Sequence, residues 1–330
     1  MRYVPYGQIN SSPNIIVDGA ACAGTLLTLS HWPKSGTPVD LKRDSSAEIA
    51  LAYLDSPRFH VNAEIVSNNH FDEDGLVGIY TLLDPATAQK QREFLIDVAS
   101  AGDFGVYRQR DAARVSFAIS ACADQAMSPF PKNIFELPYT ELAGQIYQRL
   151  LEVFPRLLTN LNDYKHLWEE EDARLVDSEG LFERGEIAIE EELALDLAII
   201  RIPLNLPAGP VHRFTQSRMA ECHPFAINSH TRCSRLLVIE GQRLEFQYRY
   251  ESWVQFVSRR PLARVDLGGF VNELNQAETS GGRWVFEGVD KITPRLYLEA
   301  SPKSSHSPEQ FLNRLKYYLM TGEPAWNPYD

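Results

Sequence analysis

The stretch Asn68–Gly75 (NNHFDEDG) places good ligands for a hard metal ion beside an apolar run. The candidate ligands alternate along it: His70, Asp72 and Asp74. In an extended chain, alternate side chains point to the same side, so all three would face one way. The preceding segment, Phe59–Val66, predicts a strand, and the apolar run that follows predicts a buried helix. This order is typical of α/β proteins, whose sites lie beyond the carboxyl ends of the strands.

Two short apolar runs upstream, Asn14–Val17 and Thr25–Leu29, predict strands that end at polar residues. Asp18 follows the first strand, and His31 lies just beyond the second. The segment Asp44–Glu48 has the residue types of a helix N-cap and a charged first turn. Strands alternating with helices favour a mostly parallel sheet flanked by helices, and we therefore predict an α/β fold.

The later sequence contains a second candidate site and a change in composition. Asp103 lies between glycines in Ser100–Gly105, which predicts an acidic turn. The segment 169–192 is the most charged part of the chain and predicts a solvated helical arm or an interdomain connection. A hairpin pattern with a glycine in its turn follows it. We predict an α/β domain over 1–190 and a smaller α+β domain over 191–330.

The composition excludes some classes of protein. The chain has 330 residues, 44% of them apolar, and a formal net charge of −12. The apolar share indicates a globular chain with a sizeable core, and the acidic balance argues against electrostatic binding to duplex nucleic acid. No run of about 18 apolar residues predicts a membrane helix. The N-terminal residues lack the pattern of a signal peptide, so we expect a cytoplasmic protein with no membrane partner.

The cysteines and one histidine-containing region are weaker candidates for sites. No two of the four cysteines have the Cys-x-x-Cys spacing of a zinc or redox site, which favours buried thiols. His212, His223 and His230 lie in a region that contains proline and asparagine. They are candidates for a separate metal site.

The acidic stretch also carries a family resemblance. His70–Gly75 resembles the first motif of the DHH phosphoesterase family, His-x-Asp-x-Asp-Gly. Thr28–Trp32 resembles the Asp-His-His motif that names the family, with a serine and a tryptophan in place of the Asp and the second His. Asp18 resembles the isolated Asp of the second motif, and Ala101–Gly105 resembles the Asp-Thr-Gly turn of the fourth. The first motif here follows the Asp-His-His-like motif, so the match has a permuted order.

The second half of the chain extends the resemblance over most of the sequence. Three segments resemble, in order, the arginine, the helix start and the glycine-rich loop of the smaller C-terminal substrate domain of that family. These segments are Val257–Arg260, Val265–Leu267 and Ser280–Arg283. The resemblance implies that five of their residues bind the substrate phosphate. These five are Arg259, Arg260, Gly281, Gly282 and Arg283.

The resemblance implies a two-metal phosphoesterase. Two metals about 3.5 to 4 Å apart activate a water and clamp both oxygens of a phosphoryl displacement. The implied metal ligands are His70, Asp72, Asp74, Asp18 and Asp103, and the implied catalytic residues are Asp72, Asp74 and His31. Mixed His and Asp ligands suit Mn²⁺, with Mg²⁺ as the other candidate. The implied substrate is a small phosphoester, a nucleotide, or a short single-stranded oligonucleotide.

Two alternatives stay open at this point. Asp72 and Asp74 are also the residue types that cap a helix, and one begins near Gly75. The chain could also be a non-catalytic binding or regulatory protein on the same scaffold, because its Asp-His-His-like motif has lost ligands.

Overall fold

The computed structural model of the protein describes residues 1–204, 206–207 and 221–330. These residues form two compact units. The first unit contains Met1–Ala173 and Phe256–Ser258, and the second contains the other described residues from 174 to 330. The sequence indicated a boundary near residue 190, whereas these units divide between Ala173 and Arg174, within a helix.

The first unit is built on a short parallel sheet. Its strands are β1 (Arg2–Tyr3), β2 (Asn14–Val17), β3 (Thr25–Leu29) and β4 (Ile65–Ser67). Its helices are α1 (Ser46–Leu54), α2 (Glu73–Leu83), α3 (Pro85–Lys90), α4 (Arg92–Phe104), α5 (Arg110–Ala123), α6 (Tyr139–Thr159) and α7 (Glu169–Glu183), the last of which continues into the second unit. The strand order is β1-β4-β2-β3, and every neighbouring pair is parallel. The α/β fold with a mostly parallel sheet is therefore confirmed.

The link between β2 and β3 is unusually short for parallel neighbours, which normally need a crossover of a dozen or more residues. It consists of residues 18–24 alone and contains no helix. The Asn14 side chain fixes it by donating hydrogen bonds to the carbonyl oxygens of Ser12 (2.8 Å) and Ala23 (3.3 Å). Gly24 closes it at a φ of 82°, where a Cβ would lie 2.4 Å from the Ser11 carbonyl oxygen.

Two helices fix the acidic edge of this sheet. Ser45 caps α1 in a capping box: its hydroxyl accepts the Glu48 N–H (3.2 Å), and the Glu48 carboxylate accepts the Ser45 N–H (3.1 Å). Helix α2 packs against α1 and α4 and approaches β2 closely. A Cβ at Gly78 would lie 2.5 Å from Cγ1 of Val17, so the approach needs a glycine.

Several local predictions for the first unit were wrong. Of the strand predicted over Phe59–Val66, only Ile65 and Val66 belong to β4. Phe59 instead ends a short 3-10 helix that begins at Pro57. The turn predicted at Ser100–Gly105 is the C-terminal end of α4, which Gly105 terminates at a φ of 63°. The acidic segment 169–192 is not simply solvated, since Asp172 of α7 is buried and accepts hydrogen bonds from two arginines of α5. Its helix does connect the two units, which agrees with the other interpretation of this segment, an interdomain connection.

The second unit has a mixed sheet covered by helices. Its strands are β5 (Ala188–Glu192), β6 (Leu197–Arg201), β7 (Arg235–Glu240), β8 (Arg243–Tyr248), β9 (Arg264–Val265), β10 (Arg283–Phe286), β11 (Arg295–Glu299) and β12 (Pro324–Trp326). Its other helices are α8 (Pro224–His230), α9 (Gly268–Ala277) and α10 (Pro308–Thr321). The main sheet has the order β10-β11-β8-β7-β6-β5, in which only β6 and β7 are parallel, and β9 pairs with β12. Phe246, Phe270, Trp284 and Phe311 are buried in its core.

The predicted hairpin is present as β7 and β8, joined at Gly241. The smaller α+β part of the predicted fold is therefore also present. Among the helices of the described residues, none has both the length and the apolar character needed to cross a membrane.

We expect Ser45→Ala to lower the free energy of unfolding by about 0.5 to 2 kcal/mol, because it removes the cap of α1. Chemical denaturation of the purified protein measures this. Ser56→Ala is the matched control, since Ser56 precedes the 3-10 helix without a side-chain cap and should change stability little. Equal effects of the two substitutions would contradict the capping role.

Candidate metal centre

The candidate ligands lie together at the carboxyl edge of the parallel sheet. Asp18 follows β2, His31 follows β3, and His70 follows β4. Because all strands of this sheet run the same way, their carboxyl ends meet at one edge. Asp72 and Asp74 come from the start of α2, and Asp103 comes from the end of α4.

The first group of ligands, called the inner group, consists of Asp18, His31 and Asp74. One ligand atom from each lies within 4.8 Å of the others. Nε2 of His31 is 3.4 Å from Oδ1 of Asp18 and 3.9 Å from Oδ2 of Asp74. Oδ2 of Asp103 lies 3.5 Å from the same nitrogen. The side chains of all three members are fully buried, and Asp103 is nearly so.

The second group, called the outer group, consists of Asp18, His70 and Asp72, again with ligand atoms within 4.8 Å of one another. Nε2 of His70 is 3.2 Å from Oδ2 of Asp18 and 2.8 Å from Oδ2 of Asp72. The side chains of His70 and Asp72 are 20% and 17% exposed. The outer group is thus the side of the cluster that solvent reaches, and Asp18 belongs to both groups.

A backbone contact orients His31 toward the carboxylates. Nδ1 of His31 lies 2.6 Å from the Asp44 carbonyl oxygen, which accepts a hydrogen bond, so this nitrogen carries the hydrogen. In the neutral imidazole, Nε2 is then left with its lone pair facing Asp18 and Asp103. This is the orientation in which a histidine binds a metal ion, with the other nitrogen fixed by a neighbouring acceptor.

The N-terminus of α1 holds Asp74. Its two carboxylate oxygens accept the N–H groups of Ser46 and Ala47, each at 2.7 Å. The Ser46 hydroxyl also donates to Oδ1 of Asp18 at 2.7 Å. Asp74 therefore binds the start of α1 while lying in the first turn of α2. The prediction that Asp74 continues an extended chain was wrong, because the helix begins at Glu73.

Asp72 does cap α2, as the helix-cap alternative proposed. Its Oδ1 accepts the N–H of Gly75 at 2.8 Å. Only this oxygen is used for the cap, and Oδ2 faces His70. Capping and metal binding are compatible for Asp72, since a carboxylate has two oxygens.

Asp18 has a strained backbone. Its φ is 49°, in the left-handed region that a non-glycine residue adopts at a cost of about 1 kcal/mol or more. This conformation begins the short link to β3 and turns the carboxylate toward both histidines. Strain of this kind is common at functional sites.

Burial and charge shift the pKa of several groups in the cluster. Burial and then the charge of Asp18 raise the pKa of Asp74 to about 7. Burial and the nearby carboxylates raise the pKa of Asp103 well above its usual value. Burial also raises the pKa of Asp18, but the hydrogen bond and charge of the neighbouring His70 outweigh it and lower this pKa to about 2. Burial lowers the pKa of His70, yet the adjoining carboxylates outweigh it and raise this pKa well above the usual value.

The donor set fits a divalent cation. Oδ2 of Asp18 and Oδ2 of Asp103 are buried and accept no hydrogen bond from the described part of the chain. Buried carboxylate oxygens are costly to leave unpaired, and cations bound beside them would remove this cost. Carboxylates combined with imidazoles are ligands that Mn²⁺ accepts readily.

Some residues around the cluster could not be recognised from the sequence. Ser46 followed a predicted cap but gave no sign that it contacts Asp18. Asn68 and Asn69 belong to the opening stretch yet were not predicted to have a role. Tyr147 of α6 gave no signal, because its contact with Asn68 joins residues far apart in the chain.

Trp32, which ends the Asp-His-His-like segment, packs against a ligand of the outer group: the centre of its ring lies 4.9 Å from that of the His70 ring.

The residues predicted to bind substrate lie in the second unit. Arg259 pairs with Glu251 at 3.4 Å, and the Arg260 guanidinium lies 4.6 Å from the Tyr329 ring centre. Arg283 is exposed at the start of β10. Gly281 (φ 82°) and Gly282 form the turn before it, where a Cβ at Gly282 would lie 2.8 Å from Cβ of Ser301. Their role in substrate binding stays a prediction.

The alternative histidine site is only partly described. His212 lies outside the described residues. Nδ1 of His223 accepts the Phe225 N–H at 3.1 Å, and Nδ1 of His230 is 2.7 Å from the Ala226 carbonyl oxygen. The four cysteines are free thiols, and all except Cys22 are buried.

The fold and the cluster define an α/β protein with a candidate metal centre at the carboxyl edge of a parallel sheet. Residues 1–330 match the model of a family of unknown function, DUF6687, and the chain belongs to this family. No curated protein and no solved structure matches the chain. The resemblance to DHH phosphoesterases stays a prediction from the sequence motifs.

Without divalent cations, we expect the free energy of unfolding to fall by about 1 kcal/mol or more between about pH 5 and pH 8. The pKa values of Asp72, Asp74, Asp103 and His70 are all raised. The folded state therefore binds more protons than the unfolded state across this range, and a tenfold difference in proton affinity between the two states is worth about 1.4 kcal/mol. The lowered pKa of Asp18 affects stability only below about pH 4.

Chemical denaturation in the presence of a chelator measures this pH dependence. Asp103→Asn should make it shallower, because it removes one buried carboxyl group with a raised pKa. Asp97→Asn is the matched control: Asp97 is buried on the same helix but accepts the N–H groups of Arg108 and Gln109 instead. Stability that is flat or rises over this range would contradict the account.

Proposed function

We propose that the protein is a metal-dependent, phosphoesterase-like hydrolase that acts on a small phosphoester, a nucleotide or a short oligonucleotide. One observation carries the proposal: the two carboxylate oxygens of Asp18 face two separate groups of ligands. A carboxylate shared in this way suits two cations about 3.5 to 4 Å apart, the spacing of two-metal phosphoryl-transfer sites.

The inner and outer groups have different tasks in this proposal. Asp74 and His31 are fully buried, so they hold a cation and do not meet the substrate. Asp72 is partly exposed, so its Oδ2 and Nε2 of His70, 2.8 Å away, would hold the second cation on the side of the cluster that solvent and substrate reach.

The proposed cations are Mn²⁺, or alternatively Mg²⁺, in line with the mixed carboxylate and imidazole donors. When bound, two such cations supply a water nucleophile at neutral pH and neutralise the charge of the phosphoryl oxygens. The chain itself supplies the acidic cluster, the orientation of each ligand and the exclusion of solvent from the inner group. A net charge of −12 favours a small substrate over a duplex.

A non-catalytic binding or regulatory role is the second candidate. This role is favoured by Ser30 and Trp32, which stand where the DHH family, which the sequence resembles, has an Asp and a second His. Neither side chain offers a carboxylate or an imidazole to a metal. Ser30 is buried, and its backbone is hydrogen-bonded to the Thr37 hydroxyl. A protein of this kind would bind cations without turnover.

We expect the protein to hydrolyse bis(p-nitrophenyl) phosphate when Mn²⁺ is present and to lose this activity in a chelator. Asp18→Asn should lower the rate at least about 100-fold, because it removes the carboxylate that both groups share. The measurements are metal content after purification without chelator, followed by the release of p-nitrophenol.

Asp97→Asn is again the matched control and should keep both metal and turnover. Metal binding without hydrolysis of phosphoesters would favour the binding role. A protein that neither retains nor binds Mn²⁺ would show the proposed function to be wrong.

A further inference from the structure

Asn68 connects the outer group to a tyrosine from a distant helix. Its side-chain oxygen accepts the backbone N–H of His70 at 3.2 Å, and its Nδ2 donates to the Tyr147 hydroxyl at 3.0 Å. Asn68 and Tyr147 are buried, at 2% and 0% exposure. Both polar atoms of the Asn68 amide thus have a hydrogen-bond partner, and Asn68 and Tyr147 together fix the backbone of His70.

The same pair lies against the first turn of α2. A Cβ at Gly75 would lie 2.3 Å from Nδ2 of Asn68 and 2.4 Å from the Tyr147 hydroxyl oxygen. It would also lie 2.9 Å from Oδ1 of Asp72, the oxygen that caps the helix. Asn68 and Tyr147 therefore pack close to the Gly75 backbone, whose N–H group orients Asp72.

The Tyr147 ring is itself held firmly. Its centre is 5.3 Å from the ring of Tyr3 and 5.0 Å from that of Phe71, which meets it edge to face. Rings packed in this way add about 0.5 to 1.5 kcal/mol beyond their buried area. The hydroxyl of Tyr147 is consequently a rigid anchor for Asn68.

The inner group has separate supports. Asp74 is held by the N–H groups of Ser46 and Ala47, and His31 is held by the Asp44 carbonyl oxygen. Neither of these contacts uses Asn68 or α6. His31 and Asp74 are thus oriented by a different part of the first unit from His70 and Asp72, and only Asp18 is common to the two groups.

We propose that Asn68 and Tyr147 are positioning residues that set the cation affinity of the outer group separately from that of the inner group. The inference rests on the proposed two-cation function. Neighbours that orient metal ligands are worth about 10- to 100-fold in metal affinity. Asn68 and Tyr147 would act at this level, without touching a cation or a substrate.

The test is a calorimetric titration of the metal-free protein with Mn²⁺, combined with electron paramagnetic resonance. We expect wild type to bind two equivalents that give a spin-coupled signal. Tyr147→Phe keeps the ring but removes the hydroxyl, and should weaken only the second equivalent, by about 10- to 100-fold. The signal at limiting Mn²⁺ should become that of an isolated ion. Asn68→Ala breaks the same connection at its other end and should give the same result.

Tyr80→Phe is the matched control, because Tyr80 is a buried tyrosine of α2 that packs edge to face on Phe154 and should leave both equivalents unchanged. If Tyr147→Phe and Asn68→Ala bind two equivalents with wild-type affinity, the inference is overturned, whereas the proposed two-cation function is not. Equal weakening of both equivalents would also overturn it, since the role would not be specific to the outer group. A wild-type protein that binds no Mn²⁺ would overturn the proposed function first.

Discussion

The structure depends on how it balances negative charge that is buried in one place. Asp18, Asp74 and Asp103 lie around a single imidazole nitrogen of His31, with Asp72 close by on the other side of Asp18. Carboxylates this close repel one another strongly where water is excluded. Protons, helix N–H groups and imidazoles balance part of this charge. A divalent cation would balance the rest, which is why the site makes physical sense as a metal centre.

The fold brings these groups together with few residues. Parallel strands place Asp18, His31 and His70 at one edge, and residues 18–24 join β2 to β3 without a helix. The N-terminus of α1 then compensates the fully buried carboxylate of Asp74, because N–H groups at a helix start attract negative charge. The capping box of Ser45 is part of the same arrangement, since it fixes the turn that presents those N–H groups.

Local sequence patterns predicted much of this fold. The strands Asn14–Val17 and Thr25–Leu29 have the predicted bounds, since short apolar runs and the polar residues that end them are local signals. The meeting of Asp18, His31 and His70 followed from strand ends in a parallel sheet. What could not be predicted depends on long-range packing: the attachment of Asp74 to α1, the approach of Tyr147 from α6, and the helical position of Asp103. Residues 60–64 have a composition that allows a strand but lie outside β4, although the carbonyl oxygen of Glu64 accepts the Arg2 N–H of β1 at 2.8 Å.

The most direct test of the account is the anomalous scattering of crystals grown with Mn²⁺. The account predicts two anomalous peaks that flank the Asp18 carboxylate about 3.5 to 4 Å apart, one beside His31 and one beside His70. The absence of any peak at this edge of the sheet, or a cation bound only at a place remote from Asp18, would contradict it.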